Sequence, residues 1–141
     1  MERSPFTKEI HERLIRSVVK KLEEEGYSVR AAHIDHPNGI PRNYGDYIPD
    51  VHAIKGIDEV IVEVETCDTI LSHKTERQWR TFGSRVGTKF YIIVPCNCKD
   101  KAELKKRAMS LSAEIYCGDW HWGNLEQPFE KALMQINHGD D

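Results

Sequence analysis

Three carboxylates within residues 47–66 have the types and the spacing to do chemistry together. This stretch is predicted to form two strands joined by a turn at Lys55–Asp58, with β-branched residues on both sides. Side chains alternate along a strand, so Glu63 and Glu65 share one face of the second strand. Asp50 lies on the neighbouring strand, where it can meet that pair.

A strand this rich in valine is expected to be buried, yet it carries two acids on one face. Burying like charges side by side is costly unless a cation neutralises them or their pKa values rise. Three converging carboxylates form a hard-oxygen site of the kind that Mg²⁺ or Mn²⁺ prefers. An exposed edge hairpin with solvated acids is the alternative, and the residues alone leave it open.

The spacing Asp50-x12-Glu63-x-Glu65, with Pro49 before the aspartate, resembles the PD-(D/E)XK nuclease superfamily. This is the restriction-endonuclease-like α/β fold, a mixed central β-sheet flanked by α-helices. Archaeal Holliday junction resolvases and many restriction and repair nucleases share it. The resemblance covers roughly Ile10 to Val94 and implies that Asp50 and Glu63 bind Mg²⁺ or Mn²⁺. Glu65 takes the place of the usual motif lysine, as in some restriction enzymes of the family, and would bind a second metal or activate water.

A first helix is predicted from about Thr7 to Glu25, because apolar residues recur there at helical spacing and Thr7 is a plausible N-cap. The resemblance implies that Glu12, on this helix, completes the metal site. An ordinary first-turn acid that satisfies the helix dipole is an equal alternative for Glu12. His11 lies near the centre of the apolar stripe and is interpreted as a hydrogen-bonded core histidine.

A second helix is predicted near Ile70 to Val86, directly after the strand that bears Glu65. It therefore begins next to the acids. The resemblance implies that polar residues of this helix assist the site, and Lys74 and Gln78 occupy such positions. Lys74 would supply the positive charge that Glu65 does not, and both side chains would position the phosphate.

The irregular loop before the hairpin (residues 35–47) is long and carries two prolines and two glycines. Loops of this length beside a site are usually functional, so His36 and Arg42 are predicted to touch nucleic acid. Arg77 and Arg80 on the second helix are further candidates. The alternatives are a solvated loop and a solvated helical face.

The rest of the chain predicts a parallel crossover. Lys89–Pro95 is a continuous apolar strand, Asp100 caps a third helix, and Glu114–Cys117 is a further strand. Residues 120–122 (Trp-His-Trp) precede a final helix predicted over 126–137. These aromatic residues are interpreted as part of the core or of a dimer surface, with stacking on bases as the alternative.

Composition predicts one globular domain spanning residues 1–141. The chain is 39% hydrophobic and 30% charged, and its net charge is −3, which argues against a generally basic, sequence-blind nucleic-acid binder. No apolar run reaches membrane-spanning length, and the first residues do not resemble a signal peptide, so the predicted location is cytoplasmic.

Four cysteines are present, and their spacing fits no standard two-pair zinc pattern. We therefore predict free, partly buried thiols in a reducing compartment. The residues concerned are Cys67, Cys96, Cys98 and Cys117.

Together, the carboxylate motif and the resemblance predict a metal-dependent DNA endonuclease, working alone, as a homodimer or as a subunit of a larger nuclease. A catalytically inactive nucleic-acid-binding or assembly protein with a nuclease-like fold is the alternative. The substrate is left open among a junction, a flap, a specific site and RNA.

Overall fold

One six-stranded sheet forms the centre of the computed structural model, which describes residues 4–119, 124–125 and 129. The strands lie side by side in chain order. They are β1 (Ser28–Ala31), β2 (Val51–Lys55), β3 (Asp58–Val64), β4 (Thr88–Pro95), β5 (Glu114–Asp119) and β6 (Asn124–Leu125). The helices are α1 (Pro5–Glu24), α2 (His73–Gly83) and α3 (Lys99–Met109), the last preceded by a 3₁₀ turn at Cys96–Cys98.

The sheet is mixed. β1, β2 and β3 pair in antiparallel order, β3, β4 and β5 run parallel, and β5 and β6 are antiparallel. Parallel neighbours need a crossover, and α2 and α3 provide the two that the sheet requires. This is a restriction-endonuclease-like α/β fold, and the predicted fold class is confirmed.

The first helix begins earlier than the sequence predicts. Ser4 is the N-cap, because its side-chain oxygen accepts a hydrogen bond from the amide of Thr7 at 3.2 Å. Pro5 follows at the start of the helix, where its missing N–H costs nothing. The predicted N-cap Thr7 is therefore wrong. The helix ends before Gly26, whose φ of 92° suits glycine.

The two faces of β3 belong to two different core layers, as the alternation predicts. Val60, Val62 and Val64 pack on the buried stripe of α1, while Ile61 belongs to a second cluster with Trp79 and other residues. The second cluster is built around the fully buried side chains of α2. β3 is thus covered on both sides, which explains its nearly continuous burial.

The cysteines are paired, so the prediction of free thiols is wrong. Disulfides join Cys67 to Cys98 and Cys96 to Cys117, with Cα atoms 5.7 and 4.7 Å apart. The physical reason is the strand order: β3, β4 and β5 are parallel neighbours, and the cysteines lie at or just beyond their carboxyl ends. Disulfides persist mainly in oxidising compartments. The prediction of a reducing compartment therefore loses the support that free thiols gave it.

This pairing has a direct chemical consequence. Alkylation of the unfolded, unreduced chain should label no cysteine, and alkylation after reduction should label all four, as measured by intact mass. Labelling of all four cysteines without reduction would contradict the two disulfides.

Two segments interpreted from the sequence lie outside the described residues. They are the aromatic residues 120–122 and, apart from Phe129, the helix predicted over 126–137. The Phe129 side chain is fully buried, with its ring centroid 5.5 Å from those of Tyr91 and Tyr116. Within the described part of the chain, no helix is both long enough and apolar enough to cross a membrane.

A polar cluster around Glu59 ties the hairpin to β4. One carboxylate oxygen lies 2.7 Å from His52 Nε2, and the other accepts a hydrogen bond from Thr88 Oγ1 at 2.7 Å. Burial alone would raise the pKa of Glu59. The hydrogen bonds from His52 and Thr88, with the charges of His52 and Arg85, outweigh burial and lower the pKa to about 2.

A lowered pKa in the folded state means that ionised Glu59 stabilises the protein above pH 4.5, and that this contribution disappears as pH falls towards 2. Replacing Glu59 with glutamine should therefore cost roughly 1–3 kcal/mol at pH 6 and less than half as much at pH 3. Urea unfolding at both pH values measures the difference, with the exposed Glu9→Gln as control. A cost that stays constant between the two pH values would contradict the assignment.

Candidate functional site

The three predicted acids meet at one edge of the sheet. Asp50 immediately precedes β2, Glu63 lies near the end of β3, and Glu65 directly follows that strand. The antiparallel register pairs Val51 with Val62 and so places the two strand ends together. The acids are almost fully buried, with exposed fractions of 6%, 2% and 2%.

Asp50 and Glu63 are joined through the backbone of the two strands. The amide of Asp50 donates to Glu63 Oε1 at 2.7 Å, and the amide of Val64 donates to Asp50 Oδ2 at 2.8 Å. Two imidazoles flank the same aspartate: His11 Nε2 is 3.3 Å from Oδ2, and His33 Nε2 is 3.3 Å from Oδ1. The aspartate is thus held by three separate segments of the chain.

These contacts keep Asp50 ionised. Burial alone would raise the pKa of Asp50, but hydrogen bonds from His11 and His33 favour the carboxylate. The positive charge of His11 and the hydrogen bond from the Val64 amide act in the same direction, and the pKa ends well below its ordinary value. A buried carboxylate that stays charged is suited to holding a cation.

Glu65 is held by the segment that leads into α2. Its Oε1 accepts hydrogen bonds from Thr69 Oγ1 at 2.7 Å and from Thr75 Oγ1 at 3.4 Å, and its Oε2 lies 3.4 Å from Trp79 Nε1. Trp79 is a fully buried residue of α2. The orientation of Glu65 therefore depends on the packing of that helix.

The start of α2 is fixed from the neighbouring helix. Ser72 caps α2 by accepting from the amide of Thr75 at 3.1 Å. Lys105 of α3 donates to the carbonyls of Ile70 and Ser72 at 2.6 and 3.1 Å, and its Nζ lies 5.5 Å from the centre of the Trp79 ring. Burial lowers the pKa of Lys105. These contacts set the position of the first turn of α2 against the acids.

A cleft of about 260 Å³ brings half of the predicted site residues together. Its lining includes all five residues predicted to be catalytic: Asp50, Glu63, Glu65, Lys74 and Gln78. The sequence did not indicate the others, which are His33, Ile48, Asp68, Thr69, Ser72 and Thr75. Thr69, Ser72 and Thr75 lie around the start of α2. The position of that start next to the acids was the sequence signal that could have indicated them.

Glu12, the fourth predicted metal ligand, is not brought to the cleft. Its carboxylate lies 3.7 Å from Arg16, one turn further along α1. Successive residues of a helix are about 100° apart, and it is His11 that faces Asp50. His11 is buried and hydrogen-bonded, as interpreted from the sequence, but its partner is the central acid of the site.

The four residues predicted to touch nucleic acid lie outside the cleft lining. His36 is paired with Glu23 of α1 at 3.0 Å, and its side chain is only 7% exposed. The arginines contact neighbouring side chains: Arg42 stacks 5.1 Å from the centre of the Tyr44 ring, Arg77 Nε donates to the Tyr47 hydroxyl at 3.1 Å, and Arg80 pairs with Glu76 at 3.1 Å. Arg77 and Arg80 are on the helix that borders the cleft.

The donor set fits a magnesium-type ion without forming a cage. No group of three His, Cys, Asp or Glu side chains within the described residues is arranged to hold a metal ion by itself. Mg²⁺ is usually held by one or two carboxylates together with water and substrate phosphates, so such a cage is not required. Asp50 and Glu63 are two carboxylates of this kind at the wall of the cleft.

Comparison with known proteins supports the fold and goes no further. No protein-family model matches the sequence, and no curated protein is significantly similar to it. The crystal structure of an XisH family protein from Nostoc punctiforme is similar, with a TM-score of 0.50 and 13% sequence identity. The match covers 82% of this chain and 97% of that one. At this identity the likeness shows a shared fold alone.

Proposed function

We propose that this protein hydrolyses phosphodiester bonds of nucleic acid, most simply DNA, with the help of Mg²⁺ or Mn²⁺. One observation carries the proposal: a single cleft joins an acidic pair, a third acid, a lysine and a glutamine from the ends of two strands and from one helix. They are Asp50, Glu63, Glu65, Lys74 and Gln78. Structural ion pairs do not need such a cleft, whereas hydrolysis of a charged ester uses groups of these kinds to bind a metal ion, activate water and stabilise negative charge.

In this proposal Asp50 and Glu63 hold the metal ion. When bound, the ion would lower the pKa of a water and neutralise charge on the phosphate. Glu65 would accept the proton of the attacking water, whose oxygen forms a bond to phosphorus while the bond to the leaving oxygen breaks. The leaving oxygen would take a proton from solvent water. Lys74 would offset the negative charge that develops on the phosphoryl oxygens, and Gln78 would orient them through its amide.

Because Glu65 replaces the motif lysine, the positive charge beside the phosphate would have to come from another element. In the family that the chain resembles, that lysine lies on the strand. Here the lysine that lines the cleft is Lys74, in the first turn of α2. The start of this helix is tied to α3 by Lys105, so Lys74 projects from a fixed segment of backbone.

The test is cleavage of a panel of nucleic acids: linear duplex, single strand, four-way junction and flap DNA, and a matched RNA. Each substrate is incubated with Mg²⁺, Mn²⁺ or a chelator, and Asp50→Ala purified in parallel controls for contaminating nucleases. We expect cutting of at least one substrate that needs the metal and disappears in the variant. We also expect Mn²⁺ to raise the melting temperature of the wild type. Folded wild-type protein that cuts no member of the panel with either metal would overturn the proposal.

A second candidate function is nucleic-acid binding without chemistry. Glu65 favours it, because both of its oxygens already accept hydrogen bonds from Thr69, Thr75 and Trp79. Binding of the same panel, measured by fluorescence anisotropy, separates the two candidates. Binding that is unchanged by chelator and by Asp50→Ala, without any cutting, would favour the binding protein.

A further inference from the structure

Asp50 lies between two histidines that come from different parts of the fold. His11 is on α1 and is 2% exposed, whereas the side chain of His33, just beyond β1, is 51% exposed. The rings meet edge to face, with centroids 5.0 Å apart. Of the two, His33 is the one that lines the cleft. It therefore contacts the aspartate from the side on which a ligand would enter.

The backbone at His33 takes a conformation that disfavours any residue with a side chain. Its φ is 69°, in the left-handed region. Of the non-glycine residues described, the other with positive φ is Ser110, which ends α3 as a helix cap. His33 caps no helix. Backbone strain of this kind is typically retained where the side chain has a functional role.

The local chain path explains how the strained residue reaches Asp50. Ala31 pairs with Val51, and the amide of Ala32 donates to the carbonyl of Asp50 at 2.9 Å. The chain bends immediately afterwards, and the imidazole of His33 lies at Asp50 Oδ1. The opposite oxygen, Oδ2, is held by His11 and the Val64 amide. Each oxygen of the carboxylate therefore has its own anchor.

We propose that His33 is a positioning residue of the metal site, an inference that rests on the proposed function. Its imidazole fixes the outer oxygen of Asp50, so that the carboxylate meets an incoming ion already oriented. Side chains that orient a metal-binding carboxylate commonly change metal affinity by about 10- to 100-fold when removed. His33 would thus set the affinity for the metal without taking part in bond making or breaking.

The decisive variant is His33→Gly, because it separates the backbone from the side chain. Glycine accepts a φ of 69° readily, so the backbone can keep its conformation and the variant should remain folded, although the contact with Asp50 is lost. Loss of the imidazole should weaken Mn²⁺ binding by about 10-fold or more, measured by electron paramagnetic resonance of free Mn²⁺. His33→Gln, whose amide can donate to Asp50, should recover part of the affinity.

Ser110→Gly is the matched control, because it relaxes the same kind of backbone conformation outside the cleft. It should remain folded and leave Mn²⁺ binding unaltered. His33→Asn gives a second measurement if the glycine variant folds poorly, since asparagine tolerates the left-handed region and its side chain is shorter.

The outcomes keep this role distinct from the proposed function. Mn²⁺ affinity equal to that of the wild type in His33→Gly and His33→Asn would overturn the positioning role and leave the nuclease standing. A wild type that binds no Mn²⁺ and cuts nothing would overturn both. Weaker Mn²⁺ binding in these variants, with normal melting and partial recovery in His33→Gln, would support the role.

Discussion

Replacing Glu63 with glutamine should lower the rate of DNA cleavage by about 10³-fold or more and leave the fold intact. The side chain is 2% exposed, and Oε1 accepts a hydrogen bond from the amide of Asp50. Glutamine has nearly the same shape, and its amide oxygen can accept the same bond. The variant removes the negative charge, and with it one of the two carboxylates proposed to hold the metal ion.

Glu12→Gln is the control for this prediction. Both variants exchange a glutamate for a glutamine, but the Glu12 carboxylate pairs with Arg16 on α1 and does not line the cleft. Its cleavage rate should remain within about 2-fold of the wild type, since a partly exposed ion pair on one helix is worth little. Equal loss in the two variants, with normal melting curves, would show that the effect is not specific to the cleft acids and would contradict the prediction.

Replacing Lys74 with methionine should reduce kcat by about 10²-fold, because a cation that stabilises charge developing at the phosphate acts mainly in the transition state. Lys74 is exposed and lines the cleft from the first turn of α2. Methionine keeps much of the side-chain length and the helix propensity. Steady-state kinetics on the best substrate of the panel measure the effect.

Arg80→Met is the matched variant on the same helix. Arg80 is exposed and pairs with Glu76, away from the cleft. If Arg80 only contacts the backbone of the nucleic acid, Arg80→Met should raise KM and leave kcat unchanged. Binding should then depend less steeply on salt concentration. A kcat effect at Arg80 as large as that at Lys74 would indicate general electrostatic attraction and not a specific role for Lys74.

The parts of the site that follow from local pattern could be predicted from the sequence. Alternation along β3 places Val60 and Ile61 on opposite faces, and the two core layers respect this alternation. The turn at Lys55–Asp58 fixes the register that brings Asp50 to Glu63. Both results depend on residues that are close together in the chain, so the alternating pattern and the turn were enough to predict them.

Features that depend on distant pairing could not be predicted in this way. His33 reaches Asp50 only because β1 adds to β2 and the chain then enters a left-handed conformation, which no residue type signals in advance. The disulfides likewise depend on which strands are parallel neighbours. His11 was visible as a polar residue in an apolar stripe, but its partner lies 39 positions away.

The turn of the β2–β3 hairpin is a suitable place to attach a label, because the length of the hairpin separates it from the site. Five paired positions lie between the acids and the turn, so Ile57 stands about 17 Å from the end of the hairpin that carries Asp50, at ~3.3 Å per residue. Its side chain is 99% exposed. A surface tether or a fluorophore introduced at residue 57 would therefore stand clear of the cleft and leave it accessible to a long nucleic acid. Single molecules of this protein could then be watched as they meet the nucleic acid proposed as substrate.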